Sequence, residues 1–172
     1  MLLIDAGAEY NYYTGDITRC YPINGKFNPS QKRVYQKMLD LQKSLVAAVK
    51  PGETREGLQK KSIEGVVDIL LDENLLKGRK DEILHNKDYF KYYMHGVGHW
   101  LGMDVHDAGL TEINNEPRPL EEGFCLTIEP GLYIPQNDND APKELRGFGI
   151  RIEDDLLVTA TGAENMTAAC PK

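Results

Sequence analysis

Three of the four histidines in this chain lie within residues 95–106, HGVGHWLGMDVH, and glycines separate them. His95 and His99 have the spacing of two metal ligands on one helical face, but Gly96 follows His95, so the HExxH signature is absent. Each glycine also costs about 1 kcal/mol in a helix interior relative to alanine. The segment therefore predicts an extended strand, in which His95 and His99 share one face and the glycines allow close approach of another backbone or a ligand.

Composition narrows the class of protein. A length of 172 residues predicts one domain, and a net charge of -7 argues against a nucleic-acid partner. No apolar run is long enough to span a bilayer, so no membrane partner is expected. The three cysteines, Cys20, Cys125 and Cys170, are far apart, which indicates reduced thiols and a cytoplasmic location.

Hydrophobic periodicity outlines the elements. Apolar residues that recur every three or four positions predict helices over about 30–49 and 54–71. Strand-like runs occupy both ends of the chain: 2–6, about 12–22, 124–134 and 147–162. Strands, two helices and further strands, in that order, predict an α+β fold with a curved, largely antiparallel sheet.

The first two strands bring two aspartates toward each other. If the turn between them is centred between Tyr10 and Asn11, Asp5 lies opposite Asp16. Like charges directly opposite each other destabilise a hairpin. Either the register differs, or both carboxylates reach solvent, or a cation lies between them.

Two more carboxylates occupy unusual positions. Glu129 lies inside an apolar run, and Glu153 follows Arg151 by two residues, which places both side chains on one face of a strand. If the four carboxylates and His99 converge, they need counter-charge. Two divalent cations would supply it. An oxygen-rich set with one imidazole favours manganese or a cobalt-like ion, with zinc and iron as alternatives.

Four ordered motifs carry a family resemblance: DAGAEYNYYTGDITR, HGVGHWLGMDVHD, TIEPGLYI and GIRIEDD. They resemble the pita-bread metallopeptidases, and among these they are most similar to aminopeptidase P (Xaa-Pro aminopeptidase). PINGKF and DAPKELRGFGIRIEDD extend the similarity over nearly the whole chain. The resemblance implies a pita-bread fold, with helices on the outer face of the curved sheet, and residues 1–172 forming a single, partial catalytic domain.

The resemblance also implies roles for individual residues. Five side chains would be ligands of two divalent metal ions: Asp5, Asp16, His99, Glu129 and Glu153. Asp16 and Glu153 would bridge both ions. Catalysis would involve His95, His106, Glu129 and Arg151. The substrate pocket would be lined by His95, His106, Tyr133 and Trp100. For Trp100, simple core packing is an equally good interpretation.

The implied reaction removes the N-terminal residue from peptides that have proline in second position. A hydroxide that bridges the two metal ions would attack the scissile carbonyl, and Glu129 would accept and pass on the proton. The proline nitrogen carries no N–H, so the enzyme needs a dedicated pocket.

Other interpretations stay open. An Xaa-Pro dipeptidase (prolidase) differs in how it handles the far end of the substrate, and a catalytically inactive pita-bread fragment would only bind. Relatives begin further upstream, so we expect this chain to lack an N-terminal domain and the first part of the catalytic domain. We therefore expect an exposed sheet edge at Met1–Ala6, and either a homo-oligomer or a complementing N-terminal segment as a partner.

Overall fold

The computed structural model describes residues 1–172 as an α+β protein in which every strand pair is antiparallel. The three helices are α1 (Pro29–Ala48), α2 (Arg55–Asp72) and α3 (Lys80–Asn86). The strands are β1 (Leu2–Ala6), β2 (Glu9–Tyr10), β3 (Tyr13–Thr14), β4 (Ile17–Tyr21), β5 (Glu112–Ile113), β6 (Glu116–Pro117), β7 (Cys125–Ile128), β8 (Gly131–Ile134), β9 (Phe148–Arg151), β10 (Asp154–Val158) and β11 (Ala163–Asn165). Both α+β class and antiparallel pairing were expected from the order of the sequence patterns.

The two predicted helices form within one residue of their expected limits. α1 begins after Asn28, whose side chain accepts a hydrogen bond from Gln31 in a reciprocal capping box. α2 begins after Thr54, whose hydroxyl accepts a hydrogen bond from the Gly57 amide. Local capping chemistry therefore sets both starts.

The N-terminal hairpin has a different register from the one expected. Leu2 pairs with Tyr21 and Glu9 with Thr14, so paired residue numbers add to 23 and the turn is centred between Asn11 and Tyr12. Both turn residues have positive φ, 52° and 70°, the backbone of a two-residue type I′ turn. The prediction that Asp5 lies opposite Asp16 was wrong.

Two predicted long strands are each broken in the middle. The run 124–134 forms β7 and β8, with Glu129 and a proline between them. The run 147–162 forms β9 and β10, with Glu153 in the break. Proline cannot donate to a strand ladder, which explains the first break. In both cases an acidic residue lies where the backbone leaves regular pairing.

The histidine segment is not a regular strand, although it runs beside β7. The Thr127 amide donates to the His99 carbonyl at 3.0 Å, and the Glu129 amide donates to the Val97 carbonyl at 2.7 Å. Trp100 forms an isolated bridge with Leu126. The sequence predicted an extended strand here; the backbone lies beside β7 as expected, but it does not form a regular strand.

The helices cover one side of these small sheets. One group of buried side chains joins α1, α2 and α3 to β8 and β9, and a second joins the end of α1 to β7 and β10. β1 pairs only with β4, and Leu2 and Ile4 are exposed, so the expected open edge at Met1–Ala6 is present. None of the helices has the length and hydropathy that a bilayer crossing requires.

Candidate metal centre

The acidic side chains and His99 come together where strands begin, end or break. The five positions come from distant parts of the chain: Asp5 in β1, Asp16 before β4, His99 beside β7, Glu129 between β7 and β8, and Glu153 between β9 and β10. The hydrogen bond from the Glu153 amide to the Thr18 carbonyl, 3.1 Å long, joins the last break to β4.

Three of these side chains form a compact donor set. Ligand atoms of Asp16, His99 and Glu153 all lie within 4.8 Å of one another. The Nε2 atom of His99 is 3.4 Å from Oδ2 of Asp16 and 3.5 Å from Oε1 of Glu129. Asp5 is close enough to Asp16 for its charge to raise the pKa of Asp16, after the larger effect of burial.

Hydrogen bonding orients the His99 ring for metal binding. Its Nδ1 lies 2.9 Å from the Trp100 carbonyl, to which only a protonated nitrogen can donate. This bond selects the tautomer that leaves a lone pair on Nε2, the atom facing the carboxylates. Metal-bound histidines commonly donate their second ring nitrogen to a carbonyl in this way.

The carboxylates are buried without enough positive charge. Burial raises the pKa of Glu153 to about 8, and the charge of Glu129 adds to the effect. Burial likewise raises the pKa of Glu129 to about 7. Both groups therefore resist ionisation in the protein alone, and a bound dication would reverse that preference. This donor set of oxygen atoms and one imidazole fits divalent metal ions.

Arg151 is the cation nearest to the cluster. Its guanidinium donates to Oδ2 of Asp5 at 2.5 Å, to the Thr18 hydroxyl at 3.0 Å and to the Tyr133 hydroxyl at 3.0 Å. The Thr18 hydroxyl in turn donates to Oε2 of Glu153 at 2.5 Å. One arginine thus orients two of the predicted ligands, one directly and one through a threonine.

His95 continues this network beyond Tyr133. Its Nδ1 lies 2.7 Å from the Gly96 carbonyl, so its Nε2 accepts the hydrogen bond from the Tyr133 hydroxyl at 2.8 Å. Burial lowers the pKa of His95, which keeps the imidazole neutral near pH 7. His95 therefore lies beside the cluster without being one of its ligands.

His106 is placed at the mouth of the cluster. Its ring centroid is 4.3 Å from that of His99, in an edge-to-face arrangement. It also lines a cavity of about 400 Å³ whose wall includes Asp5 and Asp16. An exposed imidazole at this position can reach a molecule bound over the carboxylates.

Trp100 is not brought to the cluster. Its ring packs edge-to-face against Phe124 at 5.3 Å, and the Arg55 guanidinium lies 5.2 Å from the ring centroid. It lines a separate cavity of about 320 Å³ that includes none of the predicted ligands. Of the four residues expected to line the substrate pocket, Trp100 is the one that the structure places away from the donor set.

Three supporting residues were missed by sequence reasoning, although each lies inside a motif. The first is Thr18, described above. The Thr127 hydroxyl accepts the His99 amide at 3.1 Å and contacts Glu129 at 3.4 Å. Asp155 is 4% exposed and accepts the Asp16 amide at 3.0 Å, and burial raises its pKa to about 6. Each of the three lies two residues from a predicted ligand, and a polar side chain at that spacing was the sequence signal that could have identified it.

An antiparallel α+β fold that brings three carboxylates, from Asp16, Glu129 and Glu153, close to one imidazole has the donor set of a divalent-metal-binding protein. Comparison narrows that class: residues 1–160 match the model of metallopeptidase family M24, and the chain belongs to this family. The Xaa-Pro aminopeptidases of Haemophilus influenzae and Escherichia coli K12 are 43% and 42% identical to it over 172 residues.

Solved structures agree with the family assignment. Aminopeptidase PepP of Pseudomonas aeruginosa superposes with a TM-score of 0.96 at 41% identity, covering 99% of this chain and 38% of that one. Zinc-substituted E. coli aminopeptidase P in complex with product superposes with a TM-score of 0.93 at 42% identity, with the same coverage. The expected pita-bread fold is confirmed.

The match is complete for this chain but partial for its relatives. All 172 residues align, and they span 40% of the H. influenzae protein and 38% of the E. coli protein. The fold and the family assignment therefore hold over the whole of this chain, which corresponds to about two fifths of each relative.

Proposed function

We propose that residues 1–172 form one catalytic unit of a di-metal peptidase that removes the N-terminal residue from peptides with proline in second position. The observation that carries the proposal is the gathering of Asp16, His99 and Glu153 within 4.8 Å, with Asp5 and Glu129 beside them. The names of the aligned relatives, Xaa-Pro aminopeptidases, support the substrate class.

The donor set supports two divalent cations as the cofactor. Its five members would be the ligands: Asp5, Asp16, His99, Glu129 and Glu153. Asp16 and Glu153 are the best bridging candidates, because they are the most buried of the four predicted carboxylate ligands and lie in one compact group with His99. Manganese is the favoured metal on the basis of the oxygen-rich donors, with cobalt, zinc and iron as alternatives. When bound, such a pair acidifies a water molecule and polarises the scissile carbonyl.

The chain's own residues can move the proton. Burial raises the pKa of Glu129 in the protein alone, and a bound dication would keep its carboxylate ionised and able to accept a proton. Glu129 lies 3.5 Å from Nε2 of His99 and 3.8 Å from Nε of Arg151. We assign to it the acceptance of a proton from the attacking water and its delivery to the leaving nitrogen.

Two histidines are placed to hold the peptide. His95 is neutral and is fixed through Tyr133 to Arg151, so its position follows that of the carboxylates. His106 is exposed and lines the cavity of about 400 Å³, so a substrate bound there is within its reach. We assign to both the hydrogen bonding of the peptide around the scissile bond, and to Tyr133 a part of the wall.

The proposal is tested by hydrolysis assays on a dipeptide, a tripeptide and a longer peptide, each beginning Xaa-Pro. We expect metal-dependent release of the first residue from the tripeptide and the longer peptide. Cleavage of the dipeptide alone would identify a prolidase instead. The control substrates carry alanine in place of proline.

A metal titration by calorimetry separates a binding module from an enzyme. Two ions per chain are expected for the wild-type protein. If the protein binds no manganese, cobalt or zinc and hydrolyses none of the peptides, the di-metal assignment is wrong.

A further inference from the structure

The glycine-rich segment 95–99 carries two histidines of the site on a backbone that belongs to no strand. β7 supplies partners for only part of it: the carbonyls of Val97 and His99 accept hydrogen bonds from β7 and the residue that follows it. Val97 is 4% exposed and Gly98 is also buried. Buried backbone groups without partners cost about 1–3 kcal/mol each, so the remaining ones need donors or acceptors from elsewhere.

Helix α2 provides those partners through two side chains one turn apart. Gln59 accepts the Val97 amide through Oε1 at 2.5 Å and makes a longer contact from Nε2 to the His95 carbonyl at 3.5 Å. Arg55 donates from Nη2 to the Gly98 carbonyl at 2.7 Å. Residues four apart lie on one helical face, so both side chains reach the same segment.

The segment has little freedom on its other side. A Cβ atom at Gly98 would lie 1.9 Å from the Thr127 carbonyl oxygen, so the backbone runs directly against β7. The segment is thus held between a strand and two helix side chains. If the helix contacts are lost, β7 still blocks movement on its own side, so the segment gains freedom only on the side of α2.

The Arg55 side chain makes no ion pair and no hydrogen bond other than the one to the Gly98 carbonyl. Burial lowers the pKa of Arg55, and no carboxylate counteracts that effect. Its remaining contact is with the ring of Trp100, the residue that follows His99. An uncompensated, half-buried arginine is costly, and both its side-chain hydrogen bond and its ring contact are with the histidine segment and its neighbour.

We propose that Arg55 and Gln59 are positioning residues, which hold the backbone of segment 95–99 from the helix side so that His95 and His99 face the acidic cluster. This inference rests on the proposal that His99 is a metal ligand. It assigns a site role to two residues of α2 that the sequence motifs do not include.

The test compares Arg55→Met, Gln59→Met and the double variant with wild type. The methionines keep side-chain length and remove the hydrogen bonds. Arg55→Lys is the conservative variant, since lysine can still donate to the Gly98 carbonyl. Lys60→Ala, an exposed residue on the same helix, is the matched control.

The first measurement is amide hydrogen exchange in the presence of a chelator. We expect exchange at Val97 and its neighbours to accelerate about tenfold in the methionine variants, with the β10 amides unchanged and Arg55→Lys close to wild type. Unchanged exchange in segment 95–99, or equal acceleration throughout the protein, would overturn the proposal, because a merely stabilising role predicts a global effect.

The second measurement is cobalt titration followed by visible absorption. We expect a loss of cobalt affinity of about 10–100-fold in the double variant and none in Lys60→Ala. Faster local exchange with unchanged cobalt affinity would refute positioning. If the wild-type protein binds no cobalt, the metal proposal fails, and the exchange rates alone then decide whether the two residues hold the segment.

Discussion

Replacing Glu153 with glutamine is expected to stabilise the metal-free protein and to abolish its stabilisation by metal ions. The carboxylate is 1% exposed, and burial raises its pKa from 4.5 to about 8. A carboxyl group with a raised pKa contributes stability that is complete below pH 4.5 and is lost as pH rises toward 8. Glutamine stays neutral, so the variant should not show this loss.

The size of the effect follows from the two pKa values. The interval between 4.5 and about 8 corresponds to about 5 kcal/mol for complete ionisation. Part of this free energy comes from repulsion by the charge of Glu129. Protonation of Glu129 in place of Glu153 can relieve that part. We therefore expect the glutamine variant to exceed wild type by about 2–4 kcal/mol at pH 8 and by much less at pH 5. The Thr18 hydroxyl can still donate to the amide oxygen of the new side chain.

Urea unfolding at both pH values, with chelator and then with manganese, measures the effect. Glu164→Gln is the control, because Glu164 is an exposed glutamate on β11. Wild type should gain stability from manganese and the Glu153 variant should not. The reasoning is refuted if the variant is less stable than wild type in chelator at pH 8, or if it still binds two ions.

Three other outcomes are expected. Metal affinity should rise with pH up to about 8, because Glu129 and Glu153, with pKa values of about 7 and about 8, must release protons when metal binds. Calorimetry in buffers of different ionisation enthalpy counts those protons. Release of no protons at pH 6.5 would contradict the prediction. Burial opposes ionisation of Asp154, but its bonded partners lower its pKa to about 2. Asp154→Asn should therefore lower the free energy of unfolding by about 3–5 kcal/mol at pH 7. In acid unfolding curves of the wild type, this contribution should fade as pH falls from 3.8 toward 2. His99→Ala should weaken cobalt binding at least about tenfold while His95→Ala leaves it nearly unchanged, and equal losses by titration would contradict the separate roles.

Local patterns sufficed for the helices, because caps and periodicity act within a few residues. Asn28 and Thr54 start α1 and α2 where the sequence predicted. The hairpin register was not predictable in the same way. The register depends on positive φ at Asn11 and Tyr12. An asparagine–glycine pair would have predicted this type I′ turn, but a tyrosine in the second turn position does not.

Part of the candidate site could be predicted from the sequence, because a carboxylate in an apolar run (Glu129) and clustered histidines stand out and because the motifs resemble a known family. The motifs nominated Asp16, His99 and Glu153, and the structure brings these three together. They also nominated Trp100, which the structure turns toward Phe124. Successive residues of an extended segment point to opposite sides, so a neighbour of a ligand need not face the site.

What only the tertiary structure decided is the set of contacts between residues distant in the chain. Arg151 reaches Asp5 across 146 positions, and Gln59 reaches Val97 across 38. Side-chain type and local spacing determine which groups need partners. Which partner each group obtains depends on how helices and strands pack, since that packing alone sets distances between remote segments.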